Sequence, residues 1–105
     1  KNQNYSNIDL KKIPSPKLLF ASFQKATLEK VSFSGQYLNN SDFSYAQIEK
    51  CDFSKTFFEE AKISKATITE TDFKECNMSA IESIDTVYRN NRNLQDVMGI
   101  PYDME

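Results

Sequence analysis

Residues 21–80 read, in rows of five, ASFQK ATLEK VSFSG QYLNN SDFSY AQIEK CDFSK TFFEE AKISK ATITE TDFKE CNMSA. The third place holds Phe23, Leu28, Phe33, Leu38, Phe43, Ile48, Phe53, Phe58, Ile63, Ile68, Phe73 and Met78, a large apolar residue in twelve rows of twelve. With 39% hydrophobic residues overall, independent draws would fill that column about once in 10⁵ trials, so the period is built in. The first place is small in every row except that of Gln36. A period of five fits neither a helix of 3.6 residues per turn nor a strand of period two; a helix with this spacing would spread its apolar residues around the whole circumference. A solenoid satisfies it. Each row makes one short side of a coil, with one large and one small side chain inward and three polar ones outward.

These rows resemble the pentapeptide-repeat family, whose pattern is a small residue, often Ala, followed two places later by Leu or Phe. The resemblance runs from Ala21 to Ala80 without a gap. It implies an all-β fold, a right-handed quadrilateral β-helix with four pentapeptides per coil. Residues 20 apart should then lie over one another, and they match: Phe33, Phe53 and Phe73 form one column, Leu28, Ile48 and Ile68 a second, Ala26, Ala46 and Ala66 a third. Sixty residues make about three coils, a stub only about 14 Å long at the usual strand spacing.

The flanks divide the chain into 1–20, a degenerate N-terminal coil or cap; 21–82, the repeats; and 83–105, a C-terminal helical cap and tail. Ile8, Ile13 and Leu18 continue the apolar phase, while Lys11 and Pro16 stand where small inward residues belong and Pro14 adds to the irregularity. After the phase breaks at Ser83, the spacing of Ile84, Val87, Tyr88, Leu94, Val97 and Met98 predicts one bent helix or two short ones, stopped by Gly99 and Pro101.

The chain has 105 residues, net charge −2, no His and two Cys. That leaves no imidazole for acid/base catalysis and too few ligands for a structural zinc site. A near-neutral balance lacks the basic footprint of a nucleic-acid or membrane binder. There is neither an apolar membrane span nor a signal-peptide core, and the missing initiator Met fits a fragment of a larger protein. A cytoplasmic location is expected, or the host-cell cytoplasm for a secreted effector. Cys51 and Cys76 fall in the small inward column and read as buried reduced thiols, a disulfide being the alternative. Asp42, Asp52 and Asp72 stand just before a Phe, on a convex face with no cleft for acid/base work.

Aromatic residues in outward places are the informative departures. Tyr37 and Phe57 stack 20 residues apart, Tyr45 stands at a corner flanked by Lys25 and Lys65, and Glu59 and Glu60 give the patch an acidic rim. Either these residues meet a partner, or a terminal segment folds over them. Gln36, after Gly35, fits a bulge or a widened coil, with no reason for an amide there. The expected function is a non-enzymatic, rigid protein-interaction or spacer module. No catalytic residue, cofactor, metal, small-molecule substrate, direct nucleic-acid contact or membrane contact is expected; a protein partner is, and dimerisation through the C-terminal helix is open. The resemblance implies two settings: bacterial secreted effectors, in which such segments accompany other domains, and protection of type II topoisomerase (gyrase) by DNA mimicry. The repeat block carries nine acidic and seven basic residues, a weak match to a duplex.

Overall fold

In the computed structural model, which describes residues 4–10, 12, 13 and 17–104, one side of every coil is a short strand. These are β1 (Asn4–Ser6), β2 (Thr27–Glu29), β3 (Gln47–Glu49), β4 (Thr67–Thr69) and β5 (Val87–Arg89), which form a parallel sheet in chain order. From β2 onward the register is 20 residues: Leu28 opposes Ile48, Ile48 opposes Ile68, and Ile68 opposes Tyr88. Single parallel bridges repeat on the other sides: side two through Ser32, Asp52, Asp72 and Arg92, side three through Tyr37, Phe57 and Asn77, side four through Ser22, Asp42, Lys62 and Glu82. Four turns separate β1 from β5, one more than the repeat block by itself supplies.

The inward pair per row is as the pattern demands. From Leu28 to Met78 every third-place residue is fully buried, while Phe23 in the first coil is half-covered. Rings one turn apart lie face on: Phe33 and Phe53 have centroids 4.9 Å apart at 9°, Phe53 and Phe73 5.7 Å at 7°. Rings on opposite sides meet edge on, as Phe33 and Phe43 do at 5.7 Å and 85°, so both favoured aromatic geometries fill one core. Small inward hydroxyls are satisfied locally, Ser41 donating to the Leu38 carbonyl at 2.6 Å and Thr56 to that of Phe53 at 2.8 Å. Among the described residues no buried side-chain polar atom lacks a partner.

The corners carry the backbone cost. The fifth residue of every row from Phe20 to Asn90 has positive φ, including Lys25 (62°), Lys55 (58°) and Glu75 (56°). A left-handed non-glycine residue costs about 1–2 kcal/mol. At most corners a turn bond offsets it, such as the Ala26 amide to the Phe23 carbonyl at 3.0 Å. So the corners are turns of positive φ built almost without Gly.

Both ends differ from the expectation. There is no C-terminal helical cap: residues 83–104 contain β5 and two three-residue 3₁₀ turns, Leu94–Asp96 and Tyr102–Met104. The helical spacing of Ile84, Val87 and Tyr88 loses to the edge of the preceding coil, whose bare amides and carbonyls a helix could not pair. One more coil pairs them. The amides of Glu82, Val87, Arg92 and Met98 donate to the carbonyls of Ala61, Ala66, Thr71 and Cys76, each at 2.9 Å. The expected dimerisation helix therefore has no counterpart in the fold. Ser83, where the phase breaks, keeps the inward place, and the Tyr88 hydroxyl hydrogen-bonds to it. Asn91 takes a small inward place, accepting from the Thr71 amide at 2.9 Å and donating to the Ile68 carbonyl at 3.1 Å.

At the N-terminal end the register is 23, Tyr5 opposing Leu28 and Asp9 opposing Ser32. Tyr5 and Leu10 thus take the large inward places and Ile8 a small one, three residues out of the phase expected for Ile8. The expectations at Lys11, Pro14 and Pro16 lie outside the described residues. The widened coil explains Gln36: its Nε2 donates to the Leu10 and Ile13 carbonyls at 2.8 and 2.9 Å, groups that the extra residues carry out of the ladder. Its own backbone stays in register, the Phe57 amide donating to the Gln36 carbonyl at 3.0 Å, so it is no bulge.

Past Asn77↔Met98, a step of 21, Gly99 turns the chain beneath the last coil and Met104, 5% exposed, plugs it. Gly99 has φ 68°, and a Cβ there would lie 2.6 Å from Ser79 Cα, whereas one at Gly35 (φ 75°) would meet nothing within 4 Å. Thermal denaturation should therefore separate them: Gly35→Ala costs about 1–2 kcal/mol for the left-handed conformation alone, and Gly99→Ala about 2–4 with the added clash. Equal losses would contradict the close approach.

Candidate functional site

Side three of the coil is flat, because its backbone is bonded to the turns above and below: Leu38 N to Phe57 O at 2.7 Å, Phe58 N to Asn77 O at 2.8 Å, Met78 N to Met98 O at 2.7 Å. The alternation that sends Leu38, Phe58 and Met78 inward sends Tyr37, Phe57, Asn77 and Met98 outward. The Tyr37 and Phe57 rings meet edge on, centroids 4.7 Å apart at 80°, yet stay 44% and 42% exposed; Met98 is 62% exposed. No described terminal segment buries them. Beside them the Asn39 and Asn40 amides donate to Glu59 Oε1 and Glu60 Oε1 at 3.2 and 3.3 Å. Those ladders hold two carboxylates at one edge of an aromatic step. Lys55 is exposed on the opposite corner.

Tyr45 is not part of this arrangement. It stands at the far corner of side four, 50% exposed, with Lys65 Nζ 5.7 Å from its ring centroid, a cation–π contact. It walls a separate shallow groove with Ser44, Ser64, Lys62 and Ile84. The structure thus brings together Tyr37, Phe57, Glu59 and Glu60 and leaves Tyr45 elsewhere. Sequence reasoning missed Met98 as an outward residue. The one residue inserted between Asp72↔Arg92 and Asn77↔Met98 hides it from a strict 20-residue count. Phe20 is 74% exposed at the corner preceding side four.

The aspartates have a structural occupation. Oδ1 of Asp42, Asp52 and Asp72 accepts the amide two residues on, from Ser44, Ser54 and Lys74 at 2.9, 2.9 and 3.0 Å. Asn77 does the same for Ser79 at 3.0 Å. These are Asx turns that brace the corners. Among the described residues no group of His, Cys, Asp or Glu is placed to hold a metal.

Cys51 and Cys76 are free and buried. Burial pushes the Cys51 thiol up to about 11, partly opposed by backbone hydrogen bonds, and Cys76 up to about 12, partly opposed by Thr56, whose Oγ1 lies 3.0 Å from its sulfur. Both act as small apolar fillers.

The family description "Pentapeptide repeats" matches residues 18–54 and 46–79, in eight copies. The chain belongs to the pentapeptide-repeat family. No curated protein matches this pentapeptide-repeat sequence at a significant level. Among solved structures it is similar to a pentapeptide repeat protein from the Arabidopsis thaliana thylakoid lumen, with TM-score 0.82 and 19% identity over 96% of this chain and 70% of that one. It is also similar to QnrB1, a plasmid-mediated fluoroquinolone resistance protein, with TM-score 0.68 and 17% identity over 97% of this chain and 48% of that one. The pentapeptide-repeat chain thus spans about half the length of QnrB1. At such identities the likeness concerns the fold.

Two outcomes follow for the side chains. Phe53→Ala should cost about 3–5 kcal/mol, as a large core deletion does, whereas Tyr37→Ser with Phe57→Ser should stay within about 1 kcal/mol by denaturant unfolding; a large loss in the double variant would make the pair a packing element. The thiols should resist a disulfide reagent at pH 8 until the chain unfolds. Their folded values exceed the ordinary 9.0, so unfolded thiols lose protons first. Their contribution is full below pH 9 and is lost as pH rises toward 11–12. Accordingly Cys51→Ala with Cys76→Ala should lose less stability than the parent between pH 8 and pH 10.5.

Proposed function

We propose that this chain is a non-enzymatic pentapeptide-repeat module, a rigid interaction or spacer segment of a larger protein, that meets a protein partner with side three. The observation that carries the reading is the Tyr37–Phe57 step, held edge on and still more than two-fifths exposed. A solenoid needs nothing apolar there, and contiguous exposed aromatic surface is characteristic of contact sites. Glu59 and Glu60 supply a polar rim. The reading of the Asp residues as corner braces and the inert thiols supports a non-catalytic role, and two free thiols suit the bacterial or host-cell cytoplasm of an effector.

A second reading, protection of a type II topoisomerase by DNA mimicry, is favoured by the likeness in fold to QnrB1 across 97% of the chain. Its surface argues against it. Side four alternates Asp42, Lys62 and Glu82, and Arg92 follows Asp52 and Asp72 on side two, whereas a duplex presents a negative charge about every 1.7 Å.

Quantitative capture of partners by the full-length protein tests the first reading. Tyr37→Ser with Phe57→Ser should leave the melting temperature within a few degrees and cut partner retention at least tenfold. Unchanged retention rejects it, and drug protection of gyrase supercoiling by the intact chain would put the second reading in its place.

A further inference from the structure

The spacing and charge of side three point to the shape of what it holds. Its backbone amides and carbonyls are consumed by the solenoid itself, from the Leu38 amide to the Met98 carbonyl. An added β-strand therefore has no edge to pair with on this face, and recognition is left to side chains. These are set by the rung spacing of about 4.8 Å. Phe57 lies one rung from Tyr37, and Met98 lies two rungs beyond Phe57, past Asn77.

A strand lying along the axis would place same-face side chains about 6.7 Å apart, out of step with both intervals. An α-helix places them well. Its neighbours at i+3 and i+4 are about 5–6 Å away, against one rung, and its i+7 residue is about 10.5 Å away, against about 10 Å for two. A helix about 10–12 Å across would have two flanks, one beside Glu59 and Glu60, the other beside Lys55 and Glu75 on the opposite corner. The charged groups of the first flank are all acidic, and each carboxylate spends one oxygen, Oε1, on its asparagine. The second is mixed.

We propose that side three receives an amphipathic α-helix of the partner protein, laid along the solenoid axis with its apolar stripe on Tyr37, Phe57 and Met98 and a Lys/Arg flank against Glu59 and Glu60. The proposal rests on the reading of this side as the contact surface and adds the occupant's shape, direction and charge. The basic flank fixes the helix's rotation, and the asymmetry between the two corners fixes which flank it is.

Selection from a displayed library of random 16-residue peptides on the intact chain, counter-selected against the Tyr37→Ser, Phe57→Ser variant, tests it. Expected winners carry apolar residues at i, i+3 or i+4, and i+10 or i+11, the last seven residues beyond the second, with Lys or Arg on one flank, and become helical on binding by circular dichroism. The affinity of a synthesised winner should fall at least tenfold with Glu59→Gln plus Glu60→Gln, and fall with salt, while Lys55→Gln leaves it within twofold. Winners that depend on Tyr37 and Phe57 but are proline-broken, alternating or acidic overturn the helix and leave the contact surface standing. A library that yields no peptide dependent on Tyr37 and Phe57 overturns both.

Discussion

Backbone hydrogen bonds from one turn to the residues flanking its equivalents on the next hold the coils of this protein at one height and in one rotation. Every other feature obeys that constraint. With successive turns locked at a register of 20, an inward side chain must rest on the inward side chain 20 residues away. Only a column of compatible shapes then fills the interior without voids. Hence Phe lies face on over Phe on side two, aliphatic residues lie over one another beneath the sheet, and the small column closes the space between sides. The same ladder leaves each outward residue beside its own repeat. An aromatic pair such as Tyr37 and Phe57 forms a step, and two asparagines come to rest on two glutamates.

That regularity strains the corners. Left-handed backbone recurs at every fifth residue, mostly at Lys, Glu and Asn in place of Gly. The chain tolerates it because most corners are braced by a turn hydrogen bond, and several also by an Asp, Asn or Ser side chain accepting the amide two residues on. Aspartates that could pass for paired catalytic acids are thereby accounted for as local geometry. The effect on function is indirect: stiff corners keep the four sides flat, and a flat side presents its residues at fixed intervals to whatever it meets.

Where the repetition ends, the ladder must be finished by other means, and both ends use an amide side chain in a place meant for a small residue. Gln36 reaches back to two carbonyls of the widened first coil. Asn91 bonds an amide and a carbonyl of the preceding turn. Gly99 then lets the chain pass against Ser79 so that Met104 can fill the open end.

The period of five, the inward and outward columns and the four-sided turn were legible in the sequence, because each pentapeptide carries its own instruction and repetition makes the instruction readable. Tyr37, Phe57, Glu59 and Glu60 were legible for the same reason, as departures from a strict pattern. The course of residues 83–104, the three-residue slip at the N-terminal coil, the purpose of Gln36 and Asn91 and the outward placement of Met98 were decided only in three dimensions. Each of these depends on groups at the edge of a neighbouring coil that need partners. An edge exists only once the turns are stacked, so local spacing, which favoured a helix after Ser83, carried no trace of it.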